Sequence, residues 1–407
     1  MGLSLAEARA ADAADPIRPW RERFHLPEGL IYLDGNSLGP MPKAAAARQR
    51  DLVEREWGEG LIRGWNAHGW IDAPQRVGAK LAPLIGAKPE ETIVADSTSV
   101  NLFKLLAAGA RLSGRKVILT EAGNFPTDQH IAEGVADLLG FELDRAPRGE
   151  VEARIGAETA ILLLTHVHYK SGERWDMAAV TARAKAAGAL TVWDLSHSAG
   201  AVPVDLRASG AELAVGCGYK YLNGGPGAPA FLFVAEALQD RLVSPLRGWM
   251  GHAEPFAFTD DYAPAAGIGR FLAGTPPILG LAALESGLEA FEGVSLERLW
   301  AKSIALFDVF HGLVEARCPA LSCISPRDPD RRGSHISFTH PNAFEICQAL
   351  IAADVIGDFR APDVIRFGLT PLYLGFEDVW HAVDRMADIL ETESWRDPRF
   401  AVRGKVT

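Results

Sequence analysis

Side chains capable of acid, base and covalent chemistry follow two apolar runs in the middle of the chain. Asp194 comes directly after the apolar run 189–193, His197 stands three residues later, and Lys220 follows a second apolar run, 211–216. Both runs have the composition of short buried strands. A carboxylate at the carboxyl end of a buried parallel strand points into the crevice where open α/β sheets bind ligands. These residues therefore predict a ligand site at one edge of a sheet.

Lys220 is the least ordinary of these residues. A buried ammonium group is costly unless it is paired or made neutral, so a lysine at a strand end needs a reason. One chemistry that uses such a lysine is Schiff-base formation with an aldehyde cofactor, pyridoxal phosphate, whose pyridinium nitrogen needs an anionic partner. Asp194 is the candidate for that partner. A flexible, glycine-rich segment, 223–227, follows the lysine.

Further polar segments follow other predicted strands. They occupy residues 124–128 and 166–172, and they resemble the segment 194–197 in following an apolar run directly. Any one of them could be an ordinary turn. Three polar clusters at the same edge of one sheet instead indicate a site.

A run of hydroxyl side chains, including Ser97 and Thr98, precedes the apolar-periodic stretch 102–110. Such residues just before a helix are in the first place N-cap signals. The same geometry presents free backbone N–H groups and the positive end of the helix dipole, which together can bind an anion. Capping is the first interpretation, and phosphate binding is a second that needs support from elsewhere in the chain.

Two glycine-punctuated segments carry side chains that could contact a small ligand. Asn36 and Ser37 lie in the turn-rich loop 34–40, where a plain turn is the simpler interpretation. Trp65 lies in the segment 64–70, and loops seldom expose tryptophan without cause. An aromatic wall of a site and a subunit interface are both open for this segment.

Strands and helices alternate between residues 92 and 291, which predicts an α/β fold with a mostly parallel sheet and helices on both faces. Strands are expected at 92–94, 116–120, 141–144, 160–165 and 189–193, with helices at 102–110, 127–139, 177–187 and 278–291. The rest predicts a smaller α+β unit, with helices at 3–14, 42–57, 296–316, 343–352 and 376–390 and strands at 30–33, 334–338 and 364–368. We therefore expect a large domain over 61–289 and a small domain formed by 1–60 and 290–407.

Length and charge limit the classes of protein to consider. At 407 residues the chain exceeds the limit of about 250–300 residues for one hydrophobic core, so two domains are the default expectation. The net charge of −11 argues against a nucleic-acid or anionic-membrane surface. The first 15 residues lack the apolar core of a signal peptide, and no run near 18 apolar residues occurs to cross a membrane.

The four cysteines stand at positions 217, 318, 323 and 347, without a Cys-x-x-Cys pair. They form neither a disulfide framework nor a zinc motif, and reduced thiols in a cytoplasmic protein are the expected state. His166 and His168 alternate on one strand end, but no carboxylate or cysteine completes a ligand set, so no metal site is predicted.

Taken together, these features resemble fold type I pyridoxal-phosphate enzymes and, within them, the kynureninase family. The Asp-x-x-His and lysine pattern is shared with cysteine desulfurases and class V aminotransferases, whereas Asn-Phe-Pro-Thr-Asp and Tyr-Lys-Tyr-Leu-Asn-Gly-Gly-Pro-Gly are much narrower. The resemblance covers about residues 30–375. The matching segments are 32–39, 124–128, 193–201, 218–227 and 366–368.

The resemblance implies roles for individual residues. It implies a seven-stranded large-domain sheet, pyridoxal phosphate held covalently by Lys220, and Asp194 paired with the pyridinium nitrogen. Tyr219 joins these two as a candidate catalytic residue, the acid that returns a proton to carbon. The implied cofactor-binding residues are Ser97, Thr98, Phe125, Pro126, Thr127, Asp128, Asp194, His197, Tyr219, Lys220, Trp249 and Thr275, and the substrate-binding residues are Asn36, Ser37, Trp65 and Arg366. Arg366 is expected to receive the α-carboxylate of the substrate, for which its two-pronged donor set is suited.

The implied reaction is hydrolysis of the Cβ–Cγ bond of L-kynurenine or its 3-hydroxy form, a step of tryptophan catabolism, by a homodimer with shared active sites. Which of the two substrates is preferred stays open. One rival is another enzyme of the superfamily, a cysteine desulfurase, which needs a nucleophilic thiolate on a mobile loop. A rival from another class is a catalytically silent cofactor-binding regulator. No basic domain remains in the chain to serve as the appendage that such a regulator needs.

Overall fold

The structure is a computed structural model that describes residues 3–404. In chain order its strands are β1 (Ile31–Tyr32), β2 (Thr92–Val94), β3 (Val117–Glu121), β4 (Glu142–Ala146), β5 (Thr159–Thr165), β6 (Leu190–Asp194), β7 (Leu213–Gly216), β8 (Phe231–Val234), β9 (Ser322–Cys323), β10 (His335–Thr339), β11 (Val355–Ile356), β12 (Asp358–Arg360) and β13 (Val364–Gly368).

The α-helices alternate with these strands. They are α1 (Leu5–Ala14), α2 (Lys43–Asp51), α3 (Gly64–Ala67), α4 (Ala73–Leu81), α5 (Thr98–Ala110), α6 (Pro126–Leu139), α7 (Val151–Arg154), α8 (Met177–Ala186), α9 (Glu236–Gln239), α10 (Ile278–Glu289), α11 (Leu296–Arg317), α12 (Ala343–Ala352) and α13 (Phe376–Glu391).

The central sheet has seven strands in the order β2-β8-β7-β6-β5-β3-β4. All neighbouring pairs are parallel except those of β8, which runs antiparallel to both β2 and β7. The mostly parallel, seven-stranded sheet expected from the sequence is therefore confirmed. Register aligns Thr165 with Asp194 at the carboxyl ends of β5 and β6, so the polar residues that follow these strands meet at one edge.

Burial of both faces explains why the central strands are continuously apolar. Every residue of β5 is buried. Leu162 and Leu164 join one hydrophobic cluster, whereas Ile161 and Leu163 join a second. Because side chains alternate along a strand, the two clusters lie on opposite faces of the sheet, where helices cover them.

The C-terminal part of the chain forms a smaller antiparallel sheet in the order β12-β13-β10-β9. β1 pairs with β11 in a separate parallel ladder, which brings the loop after β1 close to this sheet. The expected α+β unit is thus present. The domain boundaries 61–289, with 1–60 and 290–407, stay a prediction.

Several boundaries differ from the sequence expectation. The single helix expected over 42–57 is α2 followed by a π-helical turn, Leu52–Glu59, in which the Gly60 N–H donates to the Arg55 carbonyl five residues earlier (3.0 Å). β9, β11 and β12 were not predicted, because two or three residues are too few to show an alternating pattern. Conversely, α12 and β13 have the predicted bounds, and α5 begins at Thr98 with Ser97 as its N-cap.

Searches for two other kinds of element found none in the described residues. No helix within residues 3–404 is long and apolar enough to cross a membrane. Over the same range, no three side chains of His, Cys, Asp or Glu are grouped so that they could hold a metal ion.

Candidate active site

A cavity of about 260 Å³ lies at the carboxyl edge of the seven-stranded sheet, where the segments after β2, β3, β5, β6 and β7 converge. It is lined by Ser97, Thr98, Ser99, Phe125, Thr127, Asp128, Thr165, Tyr169, Asp194, Ser196, His197, Tyr219 and Lys220. A larger cavity of about 550 Å³ is lined mainly by apolar residues and shares none of these side chains. Convergent titratable groups, rather than volume, identify the smaller cavity as the candidate active site.

The reactive lysine lies against a histidine at the floor of the cavity. Lys220 Nζ is 3.2 Å from His197 Nε2, which is also 3.1 Å from the backbone carbonyl of Asn36. Burial, reinforced by the Lys220 and Arg366 charges, holds the pKa of His197 well below its usual value, so the ring is neutral. A neutral ring nitrogen either donates to the carbonyl or accepts from the lysine. The tautomer of His197 therefore decides whether Lys220 has a hydrogen-bond partner there.

Two carboxyl groups face the same space. Asp128 and Asp194 are 1% and 3% exposed, and the Asp194 Oδ1 accepts from the Ser196 backbone N–H (2.6 Å). Burial first, and then the neighbouring Asp194 carboxylate, raise the pKa of Asp128 well above its usual value. Two buried carboxyl groups beside one cavity favour a bound cation. A protonated pyridine nitrogen satisfies that demand, so this pair fits pyridoxal phosphate.

Thr165 links Asp128 to the segment that precedes it. The Thr165 hydroxyl lies 2.5 Å from Asn124 Oδ1 and 3.0 Å from Asp128 Oδ2. One hydroxyl has one proton, so it donates to only one of these oxygens at a time. The Asn124 side chain in turn accepts from the Phe125 N–H (2.7 Å), which fixes the loop that carries Phe125 over the lysine. The Phe125 ring centroid is 5.7 Å from Lys220 Nζ.

The helix start of α5 supplies the opposite end of the cavity. Ser97 caps the helix, and its Oγ accepts from the Val100 N–H (3.3 Å), as the sequence predicts. The hydroxyl groups of Thr98 and Ser99 line the cavity beside the first N–H groups of the helix, which have no intrahelical partner. These donors and the helix dipole fit a phosphate group, the second interpretation of this segment.

Arg366 lies behind the cavity on β13, and its guanidinium group is already paired. Its Nε donates to Asp358 Oδ1 (2.9 Å), and its Nη2 donates to Asp358 Oδ2 and to Ser37 Oγ (3.0 Å). Nη1 donates to the Tyr169 carbonyl. Although burial alone raises it, this guanidinium group holds the pKa of Asp358 at about 2. The two-pronged face of Arg366 is thus occupied by Asp358, which the sequence expectation did not include.

Some predicted residues lie away from the cavity of the same chain. Trp65 packs edge-on against Trp70 (ring centroids 6.0 Å apart). Trp249 is 36% exposed and packs against Phe256, and Thr275 is exposed. Pro126 is the first residue of α6 and does not line the cavity.

The placement of the other predicted residues is mixed. Nine predicted cofactor residues line the cavity: Ser97, Thr98, Phe125, Thr127, Asp128, Asp194, His197, Tyr219 and Lys220. Asn36 and Ser37 lie next to it, because the Asn36 carbonyl contacts His197 and the Ser37 hydroxyl contacts Arg366.

Five residues of the site were not predicted individually. Ser99, Thr165, Tyr169 and Ser196 line the cavity, and Asp358 pairs with Arg366. The first four belong to, or directly adjoin, the polar segments that follow the strands, so position at a strand end was the available signal. Asp358 opens a three-residue strand and carried no signal of this kind.

Comparison with known proteins places the chain in a family. Residues 299–386 match the kynureninase C-terminal domain. Kynureninase from Pseudomonas fluorescens is 50% identical over 408 residues, covering 98% of both chains. Kynureninase from Burkholderia mallei is also 50% identical, over 411 residues that cover 98% of this chain and 99% of that protein.

Solved structures of similar fold are more distant in sequence. A cysteine desulfurase from Thermococcus onnurineus NA1 aligns with a TM-score of 0.79 at 20% identity, covering 92% of this chain and 98% of that one. The cystine C-S lyase C-DES aligns with a TM-score of 0.77 at 18% identity, covering 89% and 98%. At these identities the likeness shows the fold alone. The fold is that of these enzymes, and by its 50% identity over nearly the whole length the chain belongs to the kynureninase family.

Proposed function

We propose that the cavity at the carboxyl edge of the sheet is where this pyridoxal-phosphate-dependent hydrolase cleaves the Cβ–Cγ bond of L-kynurenine or 3-hydroxykynurenine. The products are anthranilate or 3-hydroxyanthranilate, and L-alanine. Family membership supports the reaction. The observation that carries the site is the contact between Lys220 and the neutral His197 beside two buried carboxyl groups.

The residues that hold the cofactor follow from the chemistry of each wall. Lys220 supplies the amine for the covalent link, and Asp194 faces the pyridine nitrogen. Ser97 and Thr98 hold the phosphate, and Phe125 covers the ring. When bound, pyridoxal phosphate supplies an electron sink that stabilises negative charge on the substrate carbons next to the imine.

The side chains of this chain then handle the protons. Once the substrate amine has displaced it, the Lys220 amine is free to remove the α-proton as a general base. A neutral His197 neither repels a protonated lysine nor competes for the negative charge of the substrate. Water adds to the γ-carbonyl carbon, and the Cβ–Cγ bond breaks with release of the aryl carboxylic acid. The bonding electrons stay on Cβ, which must be protonated to give alanine.

Tyr219 is the proposed donor of that proton. Burial first, and then Cys217 and Asp194, raise the pKa of its hydroxyl above the usual value, so the group stays protonated at neutral pH. It lines the same cavity as Lys220, and its ring centroid is 5.9 Å from Lys220 Nζ. A donor that keeps its proton until charge develops on carbon is suited to general-acid catalysis.

The active assembly is proposed to be a cytoplasmic homodimer whose sites draw residues from both subunits. Trp249 and Thr275, which the family resemblance assigns to the cofactor, are exposed and lie outside the cavity of their own chain. A second copy of the chain is the simplest surface that could bring them to a cofactor.

No observation favours a cysteine desulfurase. No cysteine lines the cavity among the described residues. Burial raises the pKa of Cys318 to about 11 and also raises that of Cys323, so neither thiol of the expected loop is a thiolate at neutral pH.

The test is an assay of purified protein with pyridoxal phosphate and kynurenine, followed by anthranilate fluorescence and by alanine release. Formation of both products in equal amounts is expected. A protein that shows the visible absorbance of bound cofactor but forms no anthranilate would contradict the substrate assignment and leave the cofactor assignment standing. Cysteine, supplied in a parallel reaction, should release no sulfide.

A further inference from the structure

One fully buried lysine outside the cavity joins two segments that the cofactor site needs. Lys104, in the second turn of α5, is 0% exposed. Its Nζ donates to the Asp96 carboxylate and to the backbone carbonyl of Phe271 (2.6 Å). A buried ammonium group is retained only where its partners compensate the loss of water. The proposed reaction gives Lys104 no chemical step, so the reason lies in what it holds.

The first segment is the loop that enters α5. Asp96 has a φ of 49°, a left-handed conformation that few residues other than glycine adopt, and it is followed directly by Ser97 and Thr98. The side-chain bond from Lys104 fixes this residue from inside the fold. The direction in which the Ser97 and Thr98 groups face the cavity therefore depends on the Lys104 contact.

Charge gives Lys104 a second effect on the same loop. An unpaired Asp96 carboxylate next to the hydroxyl groups and N–H donors of the helix start would repel a phosphate group. Lys104 neutralises it at hydrogen-bond distance. The loop can then present the positive end of the helix dipole to an anion without an opposing charge.

The second segment begins at Phe271. This residue ends a 3₁₀ turn, Gly267–Phe271, and stands four residues before Thr275. The same ammonium group thus fixes the start of the stretch that carries Thr275, which is proposed to serve the site of the other subunit. Lys104 connects the anion-binding loop of one site with a segment of the neighbouring site.

We infer that Lys104 is a positioning residue for the cofactor phosphate, acting through Asp96 and Phe271 without contacting the phosphate itself. This inference rests on the proposed function, because it assumes that the Ser97 and Thr98 helix start receives the phosphate. The relevant ligand chemistry is a phosphate monoester carried by an aldehyde that reacts with Lys220.

The test compares pyridoxal phosphate with pyridoxal, which lacks the phosphate but has the same aldehyde. Dissociation constants are measured from the visible absorbance of the lysine-linked cofactor, for the parent protein, Lys104→Met, and a matched control, Lys80→Met. Lys80 lies 38% exposed in ion pairs with Glu285 and Glu289, far along the chain from the loop. Thermal melting without cofactor reports whether each variant is folded.

Lys104→Met should weaken pyridoxal phosphate binding about tenfold or more and pyridoxal binding less than about twofold, as expected for loss of a charged hydrogen bond that acts on one ligand group. Lys80→Met should change neither. A folded Lys104→Met protein that binds both ligands like the parent, or that loses affinity for both equally, overturns the inference. If the parent itself binds no pyridoxal phosphate, the proposed function fails instead.

Substitutions of Asp96 keep the inference testable if Lys104→Met does not fold. Asp96→Asn retains an oxygen acceptor and a side chain that tolerates positive φ, so binding of pyridoxal phosphate should stay within about threefold of the parent. Asp96→Ala loses both properties and should reproduce the phosphate-specific weakening. Equal binding of pyridoxal phosphate by Asp96→Ala and the parent protein overturns the inference.

Discussion

Lys220 Nζ lies 3.2 Å from His197 Nε2, on a ring that burial keeps neutral. This contact places the reactive amine beside a group that can accept a hydrogen bond from it without adding positive charge. It also ties the segment after β7 to the segment after β6, and through the Asn36 carbonyl to the loop after β1. One imidazole ring therefore joins the three parts of the chain on which the proposed chemistry depends.

Replacement of Lys220 by alanine should abolish both turnover and covalent cofactor attachment, because no other lysine lines the cavity among the described residues. Reduction with borohydride followed by mass spectrometry should find the cofactor on Lys220 in the parent protein and on no residue in the variant. Lys116→Ala, which alters a lysine over the Phe141 ring, is the control and should retain activity. Cofactor trapped in Lys220→Ala would mean that a different lysine carries it.

Replacement of Tyr219 by phenylalanine should slow the last chemical step more than the first. Loss of a general acid costs on the order of 10²-fold in rate. Since the proposed proton transfer follows release of the aryl acid, a single-turnover experiment should show a fast burst of anthranilate near one equivalent per site, followed by a slow steady state. Alanine formation should show no burst. If anthranilate forms slowly from the start, Tyr219 acts earlier in the reaction.

Much of this arrangement could be predicted from the sequence, for a physical reason. Parallel strands that are buried on both faces end at one edge, so Asp194, His197 and the residue types after each apolar run indicated a common site before any contact was known. Local rules also sufficed for Ser97, since hydroxyl groups before an apolar-periodic stretch cap helices.

The remaining features depend on contacts between segments distant in the chain. Asp358 pairs with Arg366 only because β12 and β13 are adjacent in an antiparallel ladder, and β12 has three residues. The Lys104 contact with Phe271 spans 167 residues. Trp249 and Thr275 lie outside the cavity of their own chain, so neither sequence periodicity nor the fold of one chain determines what they face.

Replacement of Asp358 by asparagine should destabilise the protein strongly. Arg366 and Asp358 are 2% and 1% exposed, and removal of one partner of such a pair leaves a buried charge without compensation. The expected loss is about 3 kcal/mol in the free energy of unfolding. The exposed pair Arg317–Asp384 provides the control, because Asp384→Asn should cost less than about 1 kcal/mol. Urea unfolding at pH 7 measures both variants, and equal losses would contradict the assigned importance of the buried pair.

The same substitution should also weaken substrate binding. Asp358 orients the guanidinium group that is expected to receive the substrate α-carboxylate, so KM for kynurenine should rise more than kcat falls. The kcat/KM ratio for a substrate analogue without the α-carboxylate should change little between the parent and Asp358→Asn. A matching loss for both compounds would place the effect of Asp358 elsewhere.

Buried His166 predicts a pH dependence of stability. Burial lowers the pKa of His166 to about 3 in the folded protein, against about 6.5 when unfolded. The unfolded state thus binds more protons between pH 3 and 6.5, so this contribution to stability is complete above pH 6.5 and is lost as the pH falls. Lowering the pH from 6.5 to 5 should cost about 2 kcal/mol through this residue.

The comparison of His166→Asn with the parent isolates this effect. Asp34 acts in the opposite sense, because burial and Asp358 raise its pKa to about 7, so its folded carboxyl group gains a proton as the pH falls. Asp34 is unchanged in both proteins and cancels in the difference. His166→Asn should therefore lose less stability than the parent between pH 7 and 5 in urea unfolding. Parallel losses would show that His166 does not stay neutral in the folded protein.

Mixing two inactive variants tests whether the sites are shared between subunits. In a heterodimer of Lys220→Ala with Trp249→Ala, one site combines an intact Lys220 from one chain with an intact Trp249 from the other, whereas the second site lacks both. Trp249→Ala alone should weaken cofactor binding about tenfold, as expected for loss of an aromatic contact, so the assay is run at limiting pyridoxal phosphate. Random exchange of subunits at equal amounts should restore about one quarter of the parent activity, because half of the C₂ dimers are mixed and each has one complete site. Activity equal to the average of the two separate variants would mean that Trp249 serves the site of its own chain.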